Sequence, residues 1–378
     1  MSIAVLHISP ANFARSDHLS EDIAIAKALA INFDNVYIFT SPELPDKLKT
    51  ILDSIAEIVL WDRDVEVRVR WLRCLPRYYA EAINGQAVFY KRPTRLAVSG
   101  LKRYMSAYAR LREIAPSVLV TTLVGKDHPL IVAANSLDIP TVGVQHAPYY
   151  HRFREKARPY EWPVAHIAVW NREVLKFCIR KFPGQAKFFS MDSPLWTVRE
   201  PAVGKSDSRV FIYESTSTHS LMRIAKSLFQ NLGAENIAFK AHPNLHVRGR
   251  SLARKFPGRR IFDDINDLIP LFGISFGSTV TDQLIRRGVP CVTIIDSHGF
   301  DEMVFPRAGT FSTGASSESE IISFVLRLYL DRGERHKLWK AQAEERRRFG
   351  IFMNNGVERI ANHCRFLGEA RNINEASS

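Results

Sequence analysis

Two turns in the second half of the chain carry the side chains best suited to chemistry. In Phe239-Lys240-Ala241-His242-Pro243-Asn244 an apolar run ends on a histidine followed by proline. Proline cannot continue a strand ladder and it restricts the residue before it, so the chain turns there. An imidazole at such a turn can donate a hydrogen bond to a phosphate oxygen. The plainer reading is a strand-end histidine satisfied within the fold. Further on, residues 275–294 read as strand, then Gly277-Ser278-Thr279, helix, Gly288, Pro290 and strand again. Ser278 and Thr279 stand where the helix opens. Free N–H groups, the positive end of the dipole and two hydroxyls make an anion site there. An ordinary Ser/Thr cap fits the same residues. Two such turns on neighbouring strand–helix units can grip one phosphate from two sides.

Other polar groups also sit at the ends of expected strands. Glu214, with Ser215 to Ser217 after it, closes the run at 209–215 and offers a sugar or nucleotide contact, or simply a Ser/Thr-rich turn. Asp282, in the helix after Ser278-Thr279, suits a ribose hydroxyl or a solvent-facing helix position. Asp301 and Glu302 follow the run at 290–296 and suit sugar hydroxyls or a capped helix start. In the first half, Gln145-His146 closes the run at 141–146 and faces the crevice; His146 then binds or deprotonates a ligand, or is buried against backbone. Asp127-His128 and Asp17-His18 follow strands too, and each aspartate is equally suited to capping a helix. Asp263, Asp264 and Asp267 read as a helix start rather than a cation cage.

These residues must be positioned by alternating strands and helices. Apolar runs at 3–8, 35–40, 57–61, 117–122, 141–146, 166–170 and 187–191 predict strands. Amphipathic stretches at 18–31, 45–55, 96–114 and 128–136 predict helices between them, with another of about ten residues before 187. Residues 64–94 are ambiguous. Residues 193–208 are rich in Pro, Ser and Gly and mark a linker. Beyond it, strands are expected at 209–215, 236–242, 259–263, 271–276 and 290–296. Helices are expected at 219–232, 279–287 and 318–330, with a charged helical tail from 334 to about 370. Such alternation predicts parallel sheets covered by helices on both faces. The expected division is a first domain at 1–192, the linker, a second domain at 209–354, and a final helix at 355–378 that packs back on the first. Two doubly wound, Rossmann-like α/β domains facing a central cleft follow, with chemistry at the carboxyl ends of strands.

The 378 residues suit two domains, and 46% hydrophobic with 24% charged residues is ordinary for a globular chain. This excludes a disordered or collagenous chain. The four cysteines, at 74, 178, 291 and 364, form no C-x-x-C pair and predict neither a zinc site nor a disulfide framework. No run approaches a membrane span, and the N-terminus lacks a basic segment before its apolar run, so a cytoplasmic protein is expected. Lys and Arg exceed Asp and Glu by 52 to 39, a formal charge of +13, which predicts anionic partners. Residues 244–260 hold six basic and no acidic residues, and Arg346-Arg347-Arg348 forms a second cluster. An anionic acceptor or the anionic inner face of the plasma membrane fits them. Nucleic acid ranks lower, because no helix-turn-helix, zinc-finger or RNP pattern is present.

Lys240-Ala241-His242-Pro243, then Ser278-Thr279, then Gly288-Val289-Pro290, resemble the HP and SS motifs of bacterial glycosyltransferases with the GT-B fold. Sialyltransferases, polysialyltransferases and capsule Kdo transferases carry them. The resemblance covers about a quarter of the chain, and Gln283 stands where the pattern often has Glu. Gln145-His146-Ala147 is similar to a QHG turn of surface-polysaccharide enzymes, with Ala in place of Gly. The resemblance implies that His242, Ser278 and Thr279 hold the donor's phosphate and nucleotide; Pro243, Glu214, Asp282 and Glu302 are the further candidate donor contacts. It implies a metal-independent transfer, with no resident cofactor, from a nucleotide sugar, preferably a CMP-linked acidic sugar, to a glycan, lipid-linked or protein acceptor. An inverting transfer needs a base on the acceptor hydroxyl, for which Asp127, Asp17 and His146 are the candidates. A UDP- or GDP-sugar transferase, a sugar-nucleotide epimerase and a non-catalytic polyanion-binding module are the rivals.

Overall fold

The computed structural model describes residues 2–8, 16–40, 44, 46–61, 93–122, 128–145, 164–170, 172–181, 186–191, 205–214, 222–240, 268–277, 280–295, 306–348 and 356–377. The chain divides into two compact units. The first holds the described residues up to Met191 and those of the final helix; the second holds those from Lys205 to Arg348.

Seven short apolar segments build the sheet of the first unit: β1 (Ile3–His7), β2 (Asn35–Thr40), β3 (Glu57–Leu60), β4 (Val118–Thr122), β5 (Thr141–Val144), β6 (His166–Val169) and β7 (Lys187–Ser190). Their order is β3-β2-β1-β4-β5-β6-β7, and every pairing is parallel. β5 and β6 are buried along their whole length. Strands covered on both faces read as continuous apolar runs, which is why the sequence announces them. Among the described residues, five helices connect them: α1 (Ser16–Asn32), α2 (Asp46–Asp53), α3 (Pro93–Ile114), α4 (His128–Asn135) and α5 (Arg172–Lys181). α1 begins at Ser16, so Asp17 lies within its first turn rather than ahead of it. Val5, Leu119, Trp61, Tyr104, Leu111 and Leu130 form the core between the sheet and α3–α4.

The second unit has a five-stranded parallel sheet of β9 (Val210–Tyr213), β10 (Ile237–Lys240), β12 (Phe272–Ser275), β13 (Cys291–Ile295) and β14 (Thr310–Ser312). Its order is β10-β9-β12-β13-β14, the 2-1-3-4-5 arrangement of a doubly wound sheet. A separate two-stranded ladder pairs β8 (Lys205–Ser206) with β11 (Leu268–Ile269), so the end of the expected linker is a strand of this unit. Helices α6 (Met222–Leu232), α7 (Val280–Arg286), α8 (Glu318–Leu330) and α9 (Arg332–Arg348) surround the sheet. Ser317 caps α8: its hydroxyl accepts from the Glu320 N–H, while Glu320 accepts from the Ser317 N–H. Glu318 then takes the Arg223 guanidinium at 2.6 Å and the Ser227 hydroxyl, tying α8 to α6. Ile212, Phe229, Phe239, Phe272, Ile274 and Val325 fill that side of the sheet; Phe211, Tyr213, Leu284 and Cys291 fill the other.

The expected charged helical tail comprises α9 and α10 (Gly356–Ser377), the second of which lies where the final helix was expected. α10 returns to the first unit and packs on α1 and β4. Arg371 donates to the carbonyls of Pro116 and Leu137. At Gly368 an added Cβ would stand 3.0 Å from the Cβ of Ser117, a closeness that glycine accommodates. None of the helices is long and apolar enough to cross a membrane, among the described residues. The expected strand at 259–263 lies outside those residues.

Candidate functional site

In an open parallel sheet, ligands bind beyond the carboxyl ends of strands, where the strand order reverses. In the second unit the reversal falls between β9 and β12. Tyr213, the last residue of β9, is in register with Lys240 at the end of β10 and with Ser275 at the end of β12. Three strands therefore stop at one level. Beyond that level the Glu214 N–H still donates to the Lys240 carbonyl, at 3.1 Å. Glu214 is buried at the tip of the central strand of the three. His242 and Pro243 follow Lys240 by two and three residues, and Ser278 and Thr279 follow Ser275 by three and four. β10 and β12 flank β9 and do not touch, which sets their axes roughly 10 Å apart. Gly277, at φ 59°, takes the left-handed conformation that turns the chain between Ser275 and Ser278.

The helix after this turn is firmly anchored. The hydroxyls of Thr281 and Thr293 lie 3.0 Å apart, joining α7 to β13. The Asp282 carboxylate accepts the Arg346 Nε–H at 2.6 Å, and both side chains are buried. Burial pushes the Asp282 carboxyl above the usual carboxylate range, while the Arg346 guanidinium pulls it back down. The expectation of a solvent-facing Asp282 is thus corrected: this acid joins α7 to α9. α7 has only seven residues, so its dipole is short.

In the first unit the order reverses between β1 and β4. Here the structure brings together residues that sequence reasoning passed over. His7 Nδ1 lies 3.3 Å from Thr121 Oγ1, and the His7 ring meets Trp61 edge-on at 5.9 Å. The Arg103 guanidinium covers the Trp61 ring at 4.9 Å, and the Ser106 hydroxyl donates to the Trp61 carbonyl. The signal for His7 was present: it is the one polar side chain in the run at 3–8, at the strand's carboxyl end. Gln145, expected to face the crevice, instead clamps two strands. Its Oε1 accepts the Trp170 N–H at 3.0 Å and its carbonyl accepts the Trp170 Nε1–H at 2.7 Å. A buried side chain with these bonds holds β5 to the end of β6.

Asp127, His146, His242, Pro243, Ser278, Thr279 and Glu302 lie outside the described residues, as do Asp301, Ser215 to Ser217, Asp263, Asp264 and Asp267. For Asp17 and His128 only the backbone is described, in α1 and at the start of α4. Among the described residues no three His, Cys, Asp or Glu side chains cluster as metal ligands would. A surface cleft of about 170 Å³ between Phe33, Asp34, Tyr37, Ile55 and Glu57 opens at the amino ends of β2 and β3, away from the strand ends considered above.

Comparison with known structures settles the architecture. S. aureus MnaA in complex with UDP aligns over 97% of this chain and 96% of its own, with a TM-score of 0.60 at 10% identity. A glycosyltransferase from Rickettsia africae aligns over 96% and 97%, with a TM-score of 0.56 at 11% identity. The fold is GT-B. A putative UDP-N-acetylglucosamine 2-epimerase from Listeria monocytogenes aligns over 95% and 94%, with a TM-score of 0.58 at 8% identity. The chain thus aligns over most of its length with both a named glycosyltransferase and a named epimerase. No family model matches the chain, and no curated protein matches it by sequence.

Proposed function

We propose that this GT-B protein is a glycosyltransferase that moves a sugar from a nucleotide donor to an acceptor hydroxyl. The observation that carries the reading is the level register of β10, β9 and β12, whose ends lead into His242, Glu214 and Ser278-Thr279. An imidazole from one side and two hydroxyls from the other approach a phosphate held over the tip of β9. Glu214 lies below it and suits a hydroxyl of the ribose or sugar. As the glycosidic bond to the phosphate breaks, negative charge grows on the leaving oxygen, and fixed donors stabilise it more than they stabilise the ground state. The second unit in this reading holds the nucleotide. The first holds the acceptor and supplies the base that takes the hydroxyl proton, from among Asp127, Asp17 and His146.

The preferred donor is a CMP-linked acidic sugar, which rests on the resemblance of the His-Pro and Ser-Thr turns. A UDP-sugar donor is the second reading, favoured by the UDP bound in MnaA. The excess of positive charge supports an anionic glycan or lipid-linked acceptor, met at the inner face of the plasma membrane.

Thermal unfolding with CMP, CDP, UDP and GDP tests the proposal. CMP is expected to raise the midpoint, and His242→Ala is expected to abolish that rise without lowering the midpoint of the free protein. Stabilisation by UDP alone replaces the first donor reading with the second. Stabilisation by no nucleotide, with binding of polyanions, overturns the enzyme reading. Turnover of a nucleotide sugar into its epimer without any acceptor replaces transferase with epimerase.

A further inference from the structure

The most unusual polar contact outside the candidate site lies where the final helix meets the first sheet. His363, in the middle of α10, has its Nε2 at 3.1 Å from Nδ1 of His166, the first residue of β6. The two ring centroids are 5.0 Å apart. The His363 ring also meets Phe189 of β7 in a tilted contact, at 4.1 Å between centroids and 30° between planes. Two imidazole nitrogens at this distance share one proton: one ring donates, the other accepts. The contact exists with both rings neutral or with one charged. It is lost when both carry their full complement of protons, because two N–H groups then face each other.

The surroundings oppose charge on either ring. His166 is only 8% exposed. Among the described side chains, the charged groups on the elements packed around the pair are Lys187 on β7, Arg172, Lys176 and Arg180 on α5, Glu21, Asp22 and Lys27 on α1, and Glu358, Arg359, Arg365, Glu369 and Arg371 on α10 itself. Of these, Lys187 acts on both rings, and its positive charge disfavours another. Burial, the neighbouring ring and Lys187 hold His166 down at about 4, and burial and Lys187 hold His363 below its ordinary value. The two rings titrate as a coupled pair, so both steps belong to the contact.

We propose that the His166–His363 pair is an acid-sensitive latch: protonation unfastens α10 from the first unit while both sheets stay folded. The direction follows from linkage. Once α10 undocks, His363 titrates near its ordinary 6.5 and His166, still on β6, loses the neighbouring ring and part of its cover, so from there down to about 4 the undocked state binds more protons than the docked one. Docking is therefore strongest above that window and weakens as the pH falls through it. A single histidine that stays neutral while docked shifts the equilibrium roughly thirtyfold between about pH 7.5 and about pH 5. The consequence reaches beyond the helix, because α10 is the end of the chain's return from the second unit to the first.

Hydrogen–deuterium exchange of the whole chain at about pH 7.5 and about pH 5, corrected for intrinsic exchange, tests the latch. Protection of 356–377 is expected to fall by up to roughly thirtyfold at the lower pH, with β1, β4, β9 and β12 unchanged. In the neutral double variant His166→Asn with His363→Gln, the protection of this helix is expected to be the same at both values. Three results overturn the proposal: no loss in the native protein, an equal loss in the double variant, or a simultaneous loss across both sheets. Lys187→Gln, at an exposed position, keeps the test open if the double variant does not fold. Without that charge the docked rings accept protons more readily, so α10 is expected to stay protected to lower pH. Release at the unaltered pH in Lys187→Gln also overturns the latch.

Discussion

Asp282 and Gln145 show how polar residues at element ends mislead a reader of sequence. Gln145 follows a strand end and Asp282 lies in the helix after one, where a ligand contact is plausible, and each is instead committed to a partner far along the chain. Arg346 is 64 residues from Asp282, and Trp170 is 25 from Gln145. Nothing local distinguishes a carboxylate that meets a ribose from one that meets a buried guanidinium. The pairing makes its own prediction. Arg346→Met leaves a buried carboxyl without its counter-charge, and such a loss costs about 3–5 kcal/mol. Asp282→Leu combined with Arg346→Met is expected to recover most of that loss, because the desolvation of both charges goes with them. Urea unfolding of the two variants beside the native protein measures both effects. His7 was passed over for the opposite reason: a single histidine at the end of an apolar run reads as core, yet it is buried at the carboxyl end of β1, against Thr121 and Trp61.

At the level of strands and helices the chain was largely legible, because buried parallel strands are apolar throughout and their helices are amphipathic. Fourteen strands are described, and those missed are the shortest. β8 and β11 have two residues each and β14 has three, too few for any period to show. β14 stays in place partly through Gln342 on α9. The Gln342 side chain accepts the Cys291 N–H at 3.1 Å and donates to the carbonyls of Cys291 and Ala308 at 2.7 and 2.8 Å. A glutamine amide has both functions and matches this edge, where Gly309 leaves room for it at φ 75°. Gln342→Leu removes this partner from three backbone groups, two of them buried, and is expected to cost about 2–5 kcal/mol. Faster amide exchange in β13 and β14 than in β9 and β10 is the sign that the damage is confined to this edge. The turn residues that matter most for the proposed chemistry follow β10 and β12. These residues lie outside the described ones.

At the scale of the molecule, two runs of alternating elements announced two units, and the fold comparison agrees over nearly the whole chain. The division between them was harder to read. The interval rich in Pro, Ser and Gly suggested a clean linker, yet Lys205 and Ser206 already pair with Leu268 and Ile269 of the second unit. α10 belongs with residues more than 150 positions earlier, and it buries Val357, Ile360, Cys364 and Leu367 there. Deleting 356–377 forfeits about 1.5–3 kcal/mol for each large apolar side chain so buried. The shortened protein is expected to show a lower first unfolding transition in calorimetry, with the transition of the second unit unmoved. The same routing has a temporal meaning. A ribosome adds about 5–20 residues each second, so the first sheet emerges and then waits on the order of ten seconds or more while the second is made. During that interval the side of α1 that α10 will cover stays bare, and a nascent chain in this state offers chaperones a target that the finished protein has hidden.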